Sequence, residues 1–245
     1  MKIYEKIHQN NQRKSFAVLI DPDKYDRKGL ESVLSLAGEN MTDFILVGGS
    51  LLTYDHLDET IRTIREETSI PVILFPGSIM QINERADAVL LLSLISGRNA
   101  DLLIGKHVIA APYLKKSGLE ILPTGYMLIE SGPLTTAQYI SNTIPIPRRK
   151  DDIAVCTAMA GEMLGLKLIY MDAGSGAEIP IPATMIRKVK ESISIPLIVG
   201  GGIRTPEQAL ESCSAGADVI VVGNAIEKDP SVIKEIAEAV RNTND

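Results

Sequence analysis

The stretch that decides the fold is residues 195–224, IPLIVGGGIRTPEQALESCSAGADVIVVGN. It contains two short apolar runs, Ile195–Val199 and Ala217–Val222, and glycine follows each of them. A helical segment that opens with Thr205-Pro206-Glu207 separates the two runs. Buried strands that alternate with a helix in this way are typical of a parallel βαβ unit. The stretch therefore predicts two neighbouring parallel strands that end at the same edge of a sheet.

The glycines after these two strands, Gly200-Gly201-Gly202 and Gly223, predict an anion site. Glycine has no Cβ, so its backbone N–H groups can come close to a bound group. A helix that begins beside them adds partial positive charge, and phosphate is the simplest ligand of this kind. The alternative is a pair of tight turns that bind nothing. In a (β/α)8 barrel the phosphate site lies after strands seven and eight, so this interpretation requires six earlier strands.

Six apolar runs with strand character do precede this stretch. The predicted strands are Phe16–Ile20, Phe44–Val47, Pro71–Phe75, Ala88–Leu92, Gly125–Ile129 and Leu168–Met171. The predicted helices are Arg27–Ala37, Leu57–Glu67, Asp101–Lys116 with a break or kink at Pro112, Asp152–Leu164, and segments after Pro182, Pro206 and Pro230. The alternation predicts an α/β protein: a single (β/α)8 TIM barrel over residues 1–245, with irregular third and fourth helical segments and a short helix over residues 2–14 that covers its bottom.

Composition limits the classes of partner. The chain is 45% hydrophobic and 23% charged, as in globular proteins, and its net charge of −6 argues against nucleic acid as a partner. Cys156 and Cys213 have no metal or redox spacing, which favours a reducing, cytoplasmic setting. The amino-terminal residues lack the apolar core of a signal peptide, and no apolar run could span a bilayer. Transient contact with a membrane surface stays open, and a homo-oligomer is expected.

Polar side chains follow the first two predicted strands, where this fold places its chemistry. Asp21 and Asp23 come directly after strand one, and Ser50 follows strand two in Gly48-Gly49-Ser50. Carboxylate and hydroxyl oxygens beside a phosphate ligand suit Mg²⁺, which takes few protein oxygens and adds water and phosphate. The alternative is that Asp21-Pro22-Asp23 only shapes a turn. The sequence thus predicts a magnesium site at Asp21 and Ser50.

Strand six ends in a second group of functional candidates, Tyr170-Met171-Asp172-Ala173-Gly174-Ser175-Gly176. A carboxylate at Asp172, close to the phosphate site, could orient or deprotonate a hydroxyl of the substrate. Strand alternation places Tyr170 on the same face as Asp172. The alternatives are a turn or capping role for Asp172 and ordinary core packing for Tyr170.

Five motifs occur along the chain in a characteristic order. They are LIDPDK at 19–24, VGGS at 47–50, YMDAGSGA at 170–177, VGGGIR at 199–204 and VGN at 222–224. In this order the chain resembles the geranylgeranylglyceryl phosphate synthase family, in the branch shared by archaea and some bacteria, and the resemblance spans essentially the whole sequence. The last two motifs are common among phosphate-binding barrels, whereas the first and third are much more specific. In the related heptaprenyl branch a lysine stands where this chain has Leu19.

The resemblance implies a reaction and a set of site residues. The reaction is Mg²⁺-dependent transfer of a geranylgeranyl group from its diphosphate to the C3 hydroxyl of sn-glycerol 1-phosphate, with Mg²⁺ on Asp21 and Ser50. Asp172 and Tyr170 are the catalytic candidates, although many members carry glutamate at the position of Asp172, which leaves its role as general base open. The residues implied to bind glycerol phosphate are Tyr170, Met171, Asp172, Ala173, Gly174, Ser175, Gly176, Gly201, Gly202, Gly223 and Asn224.

The prenyl chain would need a dry apolar channel. Its candidate lining residues could equally be plain core, and they are Leu74, Leu92, Leu94, Met127 and Ile129.

Two other functions remain as alternatives. One is another barrel enzyme with a phosphate ligand, such as a sugar-phosphate isomerase or cyclase, which would pair carboxylates after strands one and five; Glu130 stands at the second place. The other is a non-catalytic phosphate-binding barrel, because a fold does not fix a function. The strand-end residues Asp21, Ser50 and Asp172 together argue against the second alternative.

Overall fold

The computed structural model describes residues 2–9, 13–40, 42–54 and 56–243. Eight parallel strands pair in sequence order, and β8 pairs with β1 to close the barrel. The strands are β1 Ser15–Ile20, β2 Phe44–Val47, β3 Val72–Leu74, β4 Ala88–Leu94, β5 Glu120–Leu128, β6 Leu168–Asp172, β7 Leu197–Gly200 and β8 Val219–Val222. The (β/α)8 TIM barrel expected from the sequence is thereby confirmed.

The helices of the described residues pack around this barrel or lie at its two ends. They are α1 Ile3–Gln9, α2 Arg27–Glu39, α3 Leu57–Glu67, α4 Lys106–Ser117, α5 Thr136–Ser141, α6 Asp151–Met163, α7 Ala183–Ser192, α8 Pro206–Ser214, α9 Asn224–Lys228 and α10 Val232–Arg241. Within the described residues, no helix is long and apolar enough to cross a membrane.

Apolar side chains form two layers, one on each face of the sheet. Alternate residues of each strand point into the barrel, where Phe44, Leu90 and Ile198 are buried, or outward against the helices, where Val18 and Val199 are buried. Because both faces are covered, the strands are continuous apolar runs. This is why most of them could be located from the sequence.

Helix α1 lies at the amino-terminal end of the barrel. Its Ile3 and Ile7 side chains are buried with the residues that fill the interior. The N–H groups of Ile3 and Tyr4 donate to the carboxylate of Glu120, at the start of β5, over 2.6 and 3.0 Å. The helix expected over residues 2–14 ends at Gln9. Residues 10–12 lie outside the described residues, and residues 13 and 14 are not helical.

Strand β5 and the segment before β4 differ from the expected pattern. Strand β5 begins at Glu120 instead of Gly125, with Pro123 inside it opposite Leu91 of β4. Proline cannot donate a hydrogen bond to the sheet, but its carbonyl accepts one from Lys167 over 2.8 Å. Residues 75–87, between β3 and β4, contain no helix. The third helical segment is therefore irregular, as the sequence suggested.

The segment before β5 is more continuous than expected. It begins with a π-helical turn, Asp101–Gly105, and continues as α4 with Pro112 inside it. Proline removes the donor for the carbonyl of Val108, four residues earlier. Val108 is 66% exposed, so water can satisfy that carbonyl, and this explains why Pro112 does not interrupt the helix.

Two short helices were missed, and both lie at the carboxyl end of the barrel. Helix α5 stands in what was expected to be a long loop, and its capping box joins Thr135 and Gln138. Helix α9 follows β8 directly and begins at Asn224.

We expect Glu120→Ala to lower the free energy of unfolding by about 1–2 kcal/mol, because the two N–H groups at the start of α1 would lose a charged acceptor. Urea denaturation measures this change. The matched control is Glu84→Ala, at an exposed glutamate, which should leave the midpoint unchanged. Equal effects of the two substitutions would show that α1 is not held through Glu120.

Candidate active site

A polar cavity of about 170 Å³ opens at the carboxyl ends of the strands. The loops after β1, β2, β6, β7 and β8 all contribute to its wall. The glycine loops and the proposed metal ligands therefore share one mouth of the barrel, as the sequence interpretation required. The predicted site residues that line this cavity are Asp21, Ser50, Tyr170, Asp172, Gly174, Ser175, Gly201, Gly202, Gly223 and Asn224.

Three residues implied to bind glycerol phosphate do not line the cavity. Met171 and Ala173 are buried in the outer layer between the strands and the helices, because alternation along β6 turns them away from Tyr170 and Asp172. The N–H group of Ala173 donates to Gly200 over 3.1 Å. Gly176 contacts the cavity only through Asn224: its N–H group donates to the Asn224 Oδ1 atom over 2.9 Å, and Asn224 lines the cavity.

Gly201 and Gly202 bring the loop after β7 against its neighbours. Their φ angles are +79° and +72°, in the region that favours glycine. A Cβ on Gly201 would lie 2.6 Å from the Asp172 Oδ1 atom, and one on Gly202 would lie 2.6 Å from the carbonyl oxygen of Ile179. Both positions therefore require glycine for this close packing.

The Asp172 carboxylate is buried, and hydrogen bonds hold both of its oxygens. Oδ1 accepts from the N–H group of Gly174 over 2.7 Å, and Oδ2 accepts a short bond from the Tyr126 hydroxyl. Burial raises the pKa of Asp172, while the bonds from Tyr126 and Gly174 act in the opposite direction. The carboxylate is therefore fixed in orientation and binds a proton more readily than an exposed aspartate.

Three aromatic rings pack together beside this carboxylate, and one of them is that of Tyr126, which donates to it. Tyr170 stacks on Phe75 with ring centroids 5.0 Å apart, and Tyr126 meets both rings edge-on at 5.6 and 5.8 Å. Burial, and then the charge of Asp172, raises the pKa of both tyrosines. Both hydroxyls therefore remain protonated at neutral pH.

A second, apolar cavity of about 150 Å³ adjoins the polar one. Its wall comes from the irregular segment before β4, from β4 itself and from helices α4 and α5. Of the candidate channel residues, Leu92 and Leu94 line it, whereas Leu74, Met127 and Ile129 are buried in the outer core layer and do not. The residues that line both cavities are Gly49, Ser50, Phe75 and Tyr126.

Asp21 and Ser50 face the same cavity from adjacent loops. The Asp21 Oδ1 atom accepts from the N–H group of Asp23 over 3.0 Å, and burial raises the pKa of Asp21. A Cβ on Gly49 would come within 3.2 Å of the Asp21 carboxyl group, so glycine lets the two loops touch. Asp23 does not line the cavity, because its Oδ2 atom accepts from Thr53.

The donor set at Asp21 and Ser50 is sparse. Across the described ranges, no group of three His, Cys, Asp or Glu side chains could hold a metal ion. One carboxylate and one hydroxyl suit Mg²⁺ when most of its ligands are water and phosphate. They would not suit a cation that needs a full set of protein ligands.

Charged groups around the polar cavity include some that the sequence analysis did not assign. Lys24 and Arg204 line it and supply positive charge, and the Arg204 guanidinium also donates to the carbonyl of Ala177 over 2.7 Å. Glu227, on α9, lines it as well. Glu130 does not line either cavity, and it accepts instead from the N–H group of Arg148. The carboxylate pair expected of the isomerase alternative is therefore not formed.

Tyr126 and Phe75 are the other residues that sequence reasoning missed. Tyr126 stands directly opposite Tyr170 in the register of β5 and β6. Tyr126 lies inside the predicted strand Gly125–Ile129, but the lining residues proposed from that strand were Met127 and Ile129, which the structure places on the outer face. Because side chains alternate along a strand, assigning Met127 and Ile129 to the interior turned Tyr126 outward in the prediction.

Glycine loops that follow β7 and β8 and face a polar cavity are typical of TIM barrels that bind phosphate. This closed parallel barrel belongs to that class by its fold and its cavity. The apolar cavity adjoins the polar one at Gly49, Ser50, Phe75 and Tyr126, so this barrel also offers space for an apolar ligand group. The PcrB family model matches residues 8–240, and the chain belongs to this family.

Individual relatives come from bacteria and archaea. A geranylgeranylglyceryl phosphate synthase of Spirosoma linguale is 58% identical over 95% of this chain and 93% of its own length. One from Korarchaeum cryptofilum is 41% identical over 94% of this chain and 96% of its own. The crystal structure of the Thermoplasma acidophilum (S)-3-O-geranylgeranylglyceryl phosphate synthase, in complex with its substrate sn-glycerol-1-phosphate, superposes with a TM-score of 0.93 at 34% identity and covers 99% of both chains.

We expect Asp172→Asn to become more stable relative to the unsubstituted protein as the pH rises. Because the pKa of Asp172 is raised, the folded protein prefers the protonated carboxyl group. The stabilisation that this preference gives the fold is complete below the unfolded-state pKa of about 3.9, and it is lost as the pH rises through the folded-state pKa. Asparagine does not titrate, so the unfolding free energy of Asp172→Asn minus that of the unsubstituted protein should increase with pH. Urea titrations between about pH 3 and pH 7 measure it.

The control for this comparison is Asp58→Asn, which should show the opposite sign. A hydrogen bond from Asn83 lowers the pKa of Asp58, so the unsubstituted protein loses stability as the pH falls through that lowered value. A difference for Asp172→Asn that stays constant with pH would contradict the raised pKa.

Proposed function

We propose that this protein transfers a geranylgeranyl group from its diphosphate to the C3 hydroxyl of sn-glycerol 1-phosphate, with Mg²⁺ as cofactor. The observation that carries the proposal is the junction of a polar and an apolar cavity at Ser50, Phe75 and Tyr126. A reaction that joins an anionic polyol to a long apolar chain needs both environments at one point. The names of the relatives and the ligand of the Thermoplasma acidophilum structure support the same reaction.

Glycerol phosphate would occupy the polar cavity. Its phosphate would meet the glycine loops at Gly201, Gly202 and Gly223, where backbone can approach it closely. Lys24 and Arg204 add positive charge at the same wall. The glycerol hydroxyls would then point towards Asp172 and the junction of the two cavities.

Mg²⁺ would be held by Asp21 and Ser50. When bound there, the cation supplies positive charge that neutralises the diphosphate leaving group. Ser50 lines both cavities and Asp21 lines the polar one, so the diphosphate would lie where the two cavities meet. The prenyl chain would extend from that point along Leu92 and Leu94.

The bond changes follow from this arrangement. The bond between C1 of the prenyl group and the diphosphate oxygen breaks, and its electron pair leaves with the diphosphate. The C3 oxygen of glycerol phosphate bonds to C1, and its proton passes to the Asp172 carboxylate. Tyr126 and Gly174 hold this carboxylate in one orientation, so the proton acceptor is in place before the substrates react.

The aromatic rings have a role in the same step. Positive charge develops on the prenyl carbon as the diphosphate leaves, and the faces of aromatic rings attract positive charge. Phe75 and Tyr126 line both cavities, so the charge would form against them. The apolar wall also excludes water, which would otherwise capture the prenyl group.

The proposal also includes the cellular compartment, the oligomeric state and contact with a membrane surface. Both cysteines are free, which agrees with a reducing cytoplasmic compartment. Exposed apolar residues on α4, such as Val108 and Tyr113, would form a contact between copies in a homo-oligomer. Exposed Leu51 and Met80, in loops at the carboxyl end of the barrel, would touch a membrane surface when the lipid substrate enters.

The direct test is incubation of the purified protein with labelled sn-glycerol 1-phosphate, Mg²⁺ and geranylgeranyl diphosphate. A labelled product that extracts into organic solvent is the expected result. Absence of that product, together with turnover of a sugar phosphate, would refute the proposal.

We expect Asp21→Asn to lower turnover by about a hundredfold or more, because weaker binding of the cation leaves the charge on the diphosphate uncompensated. Binding of sn-glycerol 1-phosphate, measured by calorimetry without metal, should change little. Asp26→Asn is the matched control, since Asp26 lies in the same loop, caps α2 and does not line the polar cavity. Equal loss of turnover and of glycerol phosphate binding in Asp21→Asn would contradict a metal role.

We expect Ala110→Phe to raise the KM for geranylgeranyl diphosphate roughly tenfold, because the buried Ala110 lines the apolar cavity and a ring there would shorten it. Geranyl diphosphate, a shorter substrate, should be affected less. The neighbouring Ala111 is exposed, and Ala111→Phe serves as the control. An unchanged preference between the two diphosphates would exclude this cavity as the prenyl site.

A further inference from the structure

Glu227 is a carboxylate of the polar cavity that neither the sequence motifs nor the proposed mechanism uses. It belongs to the short helix α9, directly after β8, and is half-buried. Its Oε2 atom accepts a hydrogen bond from the Asn224 Nδ2 atom over 3.1 Å. Burial raises the pKa of Glu227, while the bond from Asn224 lowers it. The carboxylate thus has a defined partner inside the site.

Asn224 uses the other end of its amide to hold the loop after β6. Its Oδ1 atom accepts from the Gly176 N–H group over 2.9 Å and, more weakly, from the Ser175 hydroxyl over 3.5 Å. A chain of hydrogen bonds therefore runs from Glu227 through Asn224 to Gly176. It joins the loops after β8 and β6, and both contribute to the cavity in which glycerol phosphate would bind.

An amide side chain can adopt two orientations that differ by half a turn. One end only donates hydrogen bonds and the other only accepts them. Turning Asn224 over would set its oxygen against the Glu227 carboxylate and its NH2 group against the N–H donor of Gly176. Both contacts would then be unfavourable, so the acceptor at Glu227 selects the orientation in which Oδ1 faces the loop after β6.

We infer that Glu227 is a positioning residue for the glycerol phosphate site: by accepting from Asn224 it fixes the amide that holds Ser175 and Gly176 in place. The inference rests on the proposed function, because it concerns the affinity for that substrate. It assigns Glu227 no contact with the reacting atoms. Its effect should therefore appear in substrate binding and much less in turnover.

Two other roles make different predictions. A purely structural role, in which the bond between Asn224 and Glu227 only stabilises the short helix α9, would alter thermal stability without changing the KM. If Glu227 acted through its negative charge, every neutral side chain at position 227 would change the KM equally. Gln and Leu at position 227 separate these roles, because Gln keeps an acceptor oxygen and Leu does not.

The experiment compares Glu227→Gln with Glu227→Leu in the full-length protein. For Glu227→Leu we expect the KM for sn-glycerol 1-phosphate to rise about tenfold, which corresponds to the loss of one hydrogen bond to a charged group, with kcat changed much less. For Glu227→Gln we expect a KM within about threefold of the unsubstituted protein. Glu235→Leu, at an exposed glutamate of α10, is the control and should leave the KM unchanged.

A pair of substitutions with exchanged donor and acceptor tests the inference even if Glu227→Leu does not fold. Asn224→Asp alone sets two carboxylates against each other and should weaken binding of sn-glycerol 1-phosphate. Adding Glu227→Gln restores a hydrogen bond, now donated by residue 227, and should recover part of the affinity. Failure to recover would overturn the inference.

Other outcomes are equally decisive. If Glu227→Leu leaves the KM unchanged, or if Glu227→Gln is as damaging as Glu227→Leu, Glu227 does not act by orienting Asn224. Calorimetry with the unsubstituted protein separates this failure from a failure of the proposed function. If that protein binds no sn-glycerol 1-phosphate, the proposed function is wrong; if it binds and the variants match it, only the role of Glu227 is wrong.

Discussion

The packing of Gly201 against the Asp172 carboxylate is the contact on which the rest of the site depends. A single Cβ at position 201 would lie 2.6 Å from Oδ1 and 2.8 Å from the backbone nitrogens of Ala173 and Gly174. Any larger residue would separate the loops after β6 and β7. The glycine loop after β7 and the Asp172 carboxylate would then no longer face one cavity, although the barrel beneath them could remain intact.

This close packing has an electrostatic consequence. Burying a carboxylate costs free energy unless hydrogen bonds compensate it. The fold provides two such bonds, from Gly174 on the same strand end and from Tyr126 on the neighbouring strand. They reduce the upward shift of the Asp172 pKa without removing it. A carboxylate in this state can accept a proton and is already oriented, which is the combination that general-base catalysis requires.

The barrel and the position of the site at the carboxyl ends of its strands could be predicted from the sequence, because both depend on local patterns. Apolar strands buried on two faces are visible as runs, and glycine or aspartate at their ends marks the loops. What the sequence could not give was the direction of each side chain. Met171 and Ala173 lie within the most specific motif but face the helices, and Leu74 lies on the outer face of β3. Tyr126 was missed because the channel was assigned to its strand neighbours Met127 and Ile129, which face the helices, and Glu227 because α9 was not expected.

The second cavity arises where the barrel departs from its ideal pattern. In a regular (β/α)8 barrel a helix after β3 would pack on the outer face of the neighbouring strands. Here residues 75–87 are irregular, and their Ile79 and Ile82 side chains line the apolar cavity together with Val89 and Leu91 of β4. The absence of a helix in this segment leaves room along β4 that packed side chains would otherwise fill. The polar cavity uses the loops that the fold provides for phosphate, whereas the apolar cavity exists because one helix is missing beside it. Tyr126 and Phe75 line both cavities, so the irregular segment also determines where the two substrates of the proposed reaction would meet.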